Sequence, residues 1–270
     1  MEAAKGRLPA WALVAACVLP FLGFWVYGLF DLDEGYYGAV VVDMIRRGDW
    51  ITPTLNGVPW FEKPILAYWL SIPALKVFGE DVGPRLPSVL CTLATAFVLF
   101  KFARRHLGEC ESRTTTLVYC TNLLVVAIGR MMMTDAPLVL CLTLAFTNWF
   151  EGAYPLDGQQ RRSGAVWCAF YLGLAVLAKG PVAVVLFVGV VLAYGAWTRI
   201  WPRIGWAWLF GTAVFLAVVA CWYVPCYLQN GQAFVDEFLI KQNVGRFAGG
   251  DKAHAVPAWS HPVYLSLIHI

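Results

Sequence analysis

The stretch GWAWLFGTAVFLAVVACWYVPC, residues 205–226, contains no aspartate, glutamate, lysine or arginine. A helix needs about 20 apolar residues to cross the hydrocarbon core of a bilayer. Residues 205–226 are long enough for one complete crossing. The sequence therefore predicts a transmembrane helix at this position.

Apolar stretches of similar character occur along the whole chain. They predict about seven spans and therefore an all-α fold, a polytopic bundle of transmembrane helices, with six or eight spans as alternatives. The first stretch is longer than the roughly 7–15 apolar residues of a cleaved signal peptide, which favours an anchor that stays in the protein. The other predicted spans are residues 9–30, 86–103, 114–130, 134–150, 164–178 and 181–197.

The composition agrees with a membrane protein. Apolar residues make up 60% of the 270 residues and charged residues only 14%, whereas soluble domains have about 45–50% and about 25%. The net charge of +3 gives no support for nucleic-acid binding. The 8 cysteines form no CxxC pair and mostly lie in apolar runs, which favours a role in helix packing.

Lysine and arginine residues recur in every second loop, and short basic loops lie on the cytoplasmic side of a membrane. This pattern places the N-terminus in the cytoplasm. The apolar segment 64–79 would reverse the pattern if it crossed the membrane, so we predict a helix lying in the outer membrane interface. The basic residues are Lys5, Arg7, Lys101, Arg104, Arg105, Arg113, Arg161, Arg162, Arg199 and Arg203.

The same topology places a set of polar residues at the outer face of the membrane. They are far apart in the sequence, which favours a shared functional site, and ordinary loop polarity is the alternative. The set comprises Asp33, Glu34, Glu62, Lys63, Arg130, Asp135, Lys179, Lys241, Arg246, His254 and His261.

Asp33 and Glu34 directly follow the first predicted span. Two adjacent carboxylates at a membrane surface suit a general base or a cation site. Alternatively, Asp33 caps and Glu34 begins an amphipathic helix over residues 35–47, which Gly48 ends. The two interpretations are compatible.

The rest of the first outer loop is predicted to be ordered. Asn56-Gly57 between apolar residues is typical of a β-hairpin. Glu62-Lys63 follows this hairpin and would be presented at the end of the loop. As an alternative to a functional role, the pair forms an exposed salt bridge worth less than about 1 kcal/mol.

Later polar residues occur where spans meet the outer surface. Asp135 begins one span, and Lys179-Gly180-Pro181 separates two others. A lysine with apolar neighbours either extends to the interface or binds an anion. Arg246 suits a phosphate group because its planar guanidinium donates to two oxygens at once. His254 suits either a metal ion or a structural role.

Taken together, several motifs resemble the bacterial aminoarabinose transferases that modify lipid A and the wider group that includes the protein O-mannosyltransferases. The resemblance extends over nearly the whole chain. Gly35-Tyr36-Tyr37 stands where the aminoarabinose transferases tend to have Arg-Tyr, which leaves the sugar and the acceptor open. The motifs are DEGYY (33–37), GDWITPTLNG (48–57), WFEKP (60–64), RLPS (85–88), TD (134–135), AKGP (178–181) and NVGRF (243–247).

The resemblance implies a GT-C membrane fold and an inverting glycosyltransferase that uses a polyprenyl-phosphate-linked sugar. It implies a catalytic position at Asp33 and Glu34, with Asp33 as the base when the acceptor is a hydroxyl. The carrier-phosphate ligands expected on this basis are Lys63, Arg246, Lys179 and Tyr37; the ligands expected for a divalent metal ion are Glu62 and His254; Asp135 is a further candidate.

The family's proteins are longer than this chain. We therefore expect residues 1–264 to form the N-terminal part of a GT-C domain, with outer loops at 31–85 and 227–264. Residues 265–270, LSLIHI, resemble the translated end of a sequencing adapter, and we expect them to be a non-native tail.

The expected function is transfer of the sugar to a lipid, glycan or protein acceptor, in a bacterial inner membrane with the active site on the periplasmic or extracellular side. One alternative is a transporter or flippase for a lipid-linked saccharide, which would place polar residues at the membrane midplane or in internal repeats. The second is a non-catalytic assembly subunit, which would be favoured by loss of the Asp-Glu pair. The chain retains this pair and has no evident repeat.

Overall fold

The computed structural model describes residues 9–29, 33–154, 162–201 and 205–245. Within these ranges the chain is helical apart from its connections and one short hairpin, which confirms the predicted all-α class. The elements are α1 (Ala10–Val18) with a 3-10 turn (Leu19–Phe21), α2 (Asp33–Arg47), β1 (Thr54–Leu55), β2 (Val58–Pro59), α3 (Leu66–Val82), α4 (Leu86–His106), α5 (Glu109–Thr121), α6 (Leu123–Gly129), α7 (Asp135–Ala153), α8 (Arg162–Lys179), α9 (Val182–Thr198), α10 (Trp206–Asn230), α11 (Gln232–Phe234) and a π-helix (Val235–Gly245).

The membrane bundle is built from long apolar helices. Among the described residues, α4, α7 and α10 are long and apolar enough to cross a membrane. Three shorter apolar helices, Ala10–Phe21, Ser163–Lys179 and Val182–Thr198, coincide with further predicted spans. Helix α8 packs against both α7 and α10, so it lies at the centre of the bundle.

Two predicted spans are not continuous helices. In the span predicted at 9–30, the helical conformation ends at Phe21, although the sequence stays apolar. The span predicted at 114–130 is broken at Asn122, whose side-chain oxygen accepts hydrogen bonds from the backbone N–H groups of Leu124 and Val125. These corrections have one physical reason: polar side chains satisfy the backbone groups that each break exposes.

An outer layer formed by α2 and α3 packs against the bundle. Its core contains Tyr37, Val40 and Met44 from α2, which pack with Tyr68 and Ile72 from α3. The helices predicted over 35–47 and 64–79 are thus present, with bounds shifted by a few residues. The interfacial position of α3 stays a prediction.

The hairpin at Asn56-Gly57 is also present. Both turn residues have positive φ, 54° and 78°, as a two-residue turn of type I′ requires. The Asp43 carboxylate on α2 accepts hydrogen bonds from the Thr54 hydroxyl at 2.6 Å and from the Gly57 backbone N–H at 3.2 Å. The hairpin is therefore fixed to α2.

Helices α7 and α8 approach closely at two glycines. A Cβ atom at Gly164 would lie 2.8 Å from the backbone of Gly152 and of Asn148. We predict that Gly164→Ala lowers the melting temperature of the detergent-solubilised protein, because the two backbones must separate, even though alanine is favoured over glycine in a helix by about 1 kcal/mol.

Gly189 on α9 is the matched control, because nothing lies within 4 Å of a Cβ atom built there. Gly189→Ala is expected to leave the melting temperature unchanged or to raise it. Equal melting temperatures for the two variants would contradict the close contact between α7 and α8.

Candidate active site

A buried ion pair lies at the base of the outer layer. Arg85, directly before α4, donates from Nε to Oε1 of Glu34 at 2.6 Å and from Nη2 to Oε2 at 2.7 Å. The side chains are 3% and 0% exposed. Glu34 Oε1 also accepts a hydrogen bond from the Met132 backbone N–H at 2.8 Å. This geometry gives Glu34 a structural role, and its predicted part in catalysis stays a prediction.

Three of the predicted acidic residues lie around the buried Tyr37. Burial raises the pKa of the Tyr37 phenol far above its usual range, and negative charge on Glu62, Asp33 and Asp135 raises it further. Asp33 itself is exposed at the first position of α2. The acidic residues thus act electrostatically on a phenol that stays protonated.

Tyr68, which sequence reasoning did not single out, belongs to the same group. Its ring packs edge-on against Tyr37 with centroids 6.0 Å apart. Burial raises the pKa of its phenol as well, followed by the charges of Glu62 and Asp33. A tyrosine within an apolar segment carries no local signal of such a position, because only the packing of α3 on α2 creates it.

Glu62 and Lys63 form an ion pair at 3.1 Å, with side chains 18% and 15% exposed. The neighbouring apolar side chains determine this position. Phe61 is buried against Phe234, with ring centroids 5.3 Å apart, and Ile65 is fully buried. These anchors hold the charged residues between them. The pair is therefore less exposed than the surface salt bridge considered as an alternative.

Lys179 at the end of α8 pairs with Asp135 at the start of α7, with Nζ 2.5 Å from Oδ1. Two predicted site residues that are distant in sequence are thereby in direct contact. Gly180 follows with φ +88°, a conformation that glycine adopts without strain. The absence of a side chain at Gly180 also leaves room for the Asn243 side chain. A Cβ atom at this position would lie 3.2 Å from Asn243 Oδ1.

A cavity of about 230 Å³ brings the two lysines together. It is lined by Glu62, Lys63, Lys179, Val182, Phe238, Gln242 and Asn243. Sequence reasoning gave no role to Phe238 or Gln242, which lie on the π-helix; helical periodicity does not reveal a π-helix, although such segments are frequent at functional sites. Arg246, His254 and the tail 265–270 lie outside the described residues.

The predicted metal site stays a prediction, because one of its two expected ligands, His254, lies outside the described residues. Of its two expected ligands, Glu62 is described, and one of its carboxylate oxygens accepts a hydrogen bond from Lys63. Within the described ranges, no group of three or more histidine, cysteine, aspartate or glutamate residues is arranged to hold a metal ion. We therefore derive no chemical step through a metal.

The contact between Asp135 and Lys179 predicts a measurable coupling. In a double-mutant cycle with Asp135→Asn and Lys179→Gln, we expect a coupling of about 0.5–1 kcal/mol in the free energy of unfolding, because both side chains are only about one-third exposed. The more exposed pair Glu237–Lys241, with side chains 40% and 64% exposed, is the control and should show a coupling near zero. Equal couplings would contradict the special environment of the inner pair.

Comparison with known proteins gives consistent matches. Undecaprenyl phosphate-alpha-4-amino-4-deoxy-L-arabinose arabinosyl transferase of Shewanella sediminis is 31% identical over 261 residues, which cover 93% of this chain and 47% of that protein. The crystal structure of ArnT from Cupriavidus metallidurans bound to undecaprenyl phosphate has a TM-score of 0.74 and 26% identity, and the match covers 86% of this chain and 44% of that chain. The apo structure of the same protein has a TM-score of 0.72 and 25% identity, over 84% and 43% of the two chains.

The chain thus spans less than half the length of these relatives. Its architecture, an all-α polytopic membrane bundle of the GT-C type, agrees with theirs. Residues 62–224, more than half of the chain, match the model of the family described as dolichyl-phosphate-mannose-protein mannosyltransferase. The chain therefore belongs to the dolichyl-phosphate-mannose-protein mannosyltransferase family.

Proposed function

We propose that this chain carries the donor-binding part of an integral-membrane glycosyltransferase, which moves a sugar from a polyprenyl-phosphate carrier to a lipid, glycan or protein acceptor. The observation that carries the proposal is the cavity between Lys63 and Lys179, beside the carboxylates around Tyr37. Family membership and the donor named for the Shewanella relative support the same reaction class.

The two lysines are suited to the carrier phosphate. Each is held by a carboxylate, Glu62 or Asp135, so its position is defined before a ligand arrives. Charge builds up on the phosphate as the bond to the sugar breaks, and fixed cations stabilise that charge. Arg246, in the part of the chain outside the described residues, is the predicted third cation.

In this proposal Asp33 is the general base. Its carboxylate is exposed, unlike that of Glu34, and so it is accessible to an acceptor hydroxyl. Asp33 takes the proton from the hydroxyl while the oxygen attacks the anomeric carbon on the face opposite the phosphate, which inverts the configuration. Tyr37 is buried and does not line the cavity with Lys63 and Lys179, so its predicted contact with the phosphate stays a prediction.

We place the site on the outer side of a bacterial inner membrane. The cytoplasmic side then receives the basic ends of α4 and α5, which carry Arg104, Arg105 and Arg113. The gathering of polar residues at the opposite end of the bundle favours an enzyme over a flippase, which would need polar groups near the midplane. Incubation of the full-length gene product with labelled carrier-linked sugar separates the two, because a flippase moves the lipid intact.

Two substitutions test the separate roles of base and phosphate ligand. Asp33→Asn in the full-length gene product should abolish sugar transfer and leave binding of undecaprenyl phosphate intact. Lys63→Met should weaken that binding about 10- to 100-fold, as expected for loss of a hydrogen bond to a charged group. Transfer is followed with labelled donor and binding by titration of the solubilised protein.

Asp81→Asn and Lys76→Met are the matched controls, because both side chains lie exposed on α3. Both variants should retain transfer and binding. Near-normal turnover by Asp33→Asn would exclude this residue as the base, and unchanged binding by Lys63→Met would exclude the phosphate site.

The proposed orientation predicts which cysteines a membrane-impermeant maleimide reaches. Cys110 is exposed at the start of α5 and should react only after the cells are permeabilised. In a Cys110→Ser background, Asn56→Cys at the hairpin tip should react in intact cells. Labelling of Cys110 in intact cells would reverse the proposed topology.

A further inference from the structure

Arginine side chains donate hydrogen bonds to the backbone carbonyl oxygens where the first apolar run stops being helical. Arg85 Nη1 donates to the carbonyl oxygens of Phe24 and Tyr27 at 2.8 and 2.6 Å, and Nη2 donates to that of Gly28 at 2.8 Å. Arg130 donates to the carbonyls of Pro20 and Leu22 at 3.2 and 3.4 Å. An apolar segment can thus leave the helical conformation near a membrane, where unpaired carbonyls are costly.

Arg85 uses the full hydrogen-bonding capacity of its guanidinium. A guanidinium has five N–H donors in a fixed plane. Two of them reach Glu34 and three reach the unwound segment 24–28. A lysine at this position would carry the charge but could not donate in this planar pattern.

Glu34 extends the connection to a second segment. Its Oε1 accepts from the Met132 backbone N–H, three residues before Asp135. Glu34 is also the direct neighbour of Asp33 in the first turn of α2. One carboxylate therefore adjoins Asp33 and also holds the backbone of the segment that leads into α7.

We propose that Arg85 and Glu34 are positioning residues, which orient Asp33 for the reaction without touching the substrate. The inference rests on the proposed function. Neither residue lines the cavity with Lys63 and Lys179, so the pair acts on Asp33 and not on the phosphate ligands. Loss of the planar contact should impair turnover while leaving donor binding intact.

The test is Arg85→Lys in the full-length gene product, with Arg46→Lys, an exposed arginine on α2, as the matched control. We expect Arg85→Lys to lower kcat about 100-fold, the size of effect that a displacement of about 1 Å can have. The KM for the donor and the Kd for undecaprenyl phosphate should stay within about twofold of those of the natural protein, because Lys63 and Lys179 are unaffected. Arg46→Lys should change none of these quantities.

Titration with undecaprenyl phosphate gives the concentration of protein molecules that bind the ligand, and kcat is calculated per such molecule. If Arg85 had a purely structural role, Arg85→Lys would reduce the amount of folded protein but leave this kcat unchanged. In the double variant Arg85→Lys, Asp33→Glu, the decrease in kcat should be smaller than the product of the decreases in the two single variants, because both changes displace the same carboxylate. An unchanged kcat for Arg85→Lys, a proportional rise in KM, or multiplicative effects would each overturn the proposal.

A distance measurement separates this inference from the proposed function. Spin labels on Asp33→Cys and on Gln232→Cys, an exposed position on α11, should give a narrow distance distribution in a Cys110→Ser, Cys221→Ser background. Arg85→Lys should broaden it. If the natural protein transfers no sugar but the distribution broadens, the proposed reaction fails and the positioning role stands; an unchanged distribution overturns the positioning role.

Discussion

The ion pair between Glu34 and Arg85 is the contact on which the outer half of the molecule depends. Neither charge has access to water, so each must be compensated inside the protein. Removal of one partner from such a pair typically costs about 3–5 kcal/mol, because the other charge is left buried and unpaired. The pair joins the end of the first apolar run, the start of α2, the residue before α4 and the segment before α7.

The candidate site follows from this arrangement. The outer layer of α2 and α3 rests on aromatic residues of α10, α11 and the π-helix, including Trp222, Phe234 and Phe238. Charged residues then lie at the edges of this apolar surface, where they are partly desolvated but still able to meet a ligand. Lys63 and Lys179 come from segments more than a hundred residues apart, and each arrives already paired with a carboxylate. Such a set has the preorganised cations that the proposed phosphate site requires.

The distribution of roles between Asp33 and Glu34 illustrates how neighbours in sequence diverge in structure. Successive residues of a helix point in directions about 100° apart, so one carboxylate faces the interior and the other faces outward. Burial and saturation of its oxygens make Glu34 a poor base, whereas the exposed Asp33 keeps access to an acceptor. The structure confirms the helix start at this dipeptide, and the role of Asp33 as a functional carboxylate stays a proposal.

The sequence by itself determined the helical membrane class, most of the long apolar helices, the hairpin at Asn56-Gly57 and the helix that begins near Asp33. These features depend on local composition, periodicity and turn chemistry, which neighbouring residues express directly. Only the tertiary structure decided the contacts of Arg85 with Glu34 and of Lys179 with Asp135, and the breaks after Phe21 and at Asn122. Hydropathy could not locate the break after Phe21, because the donors that satisfy its carbonyls, Arg85 and Arg130, stand far along the chain and reach it only after folding.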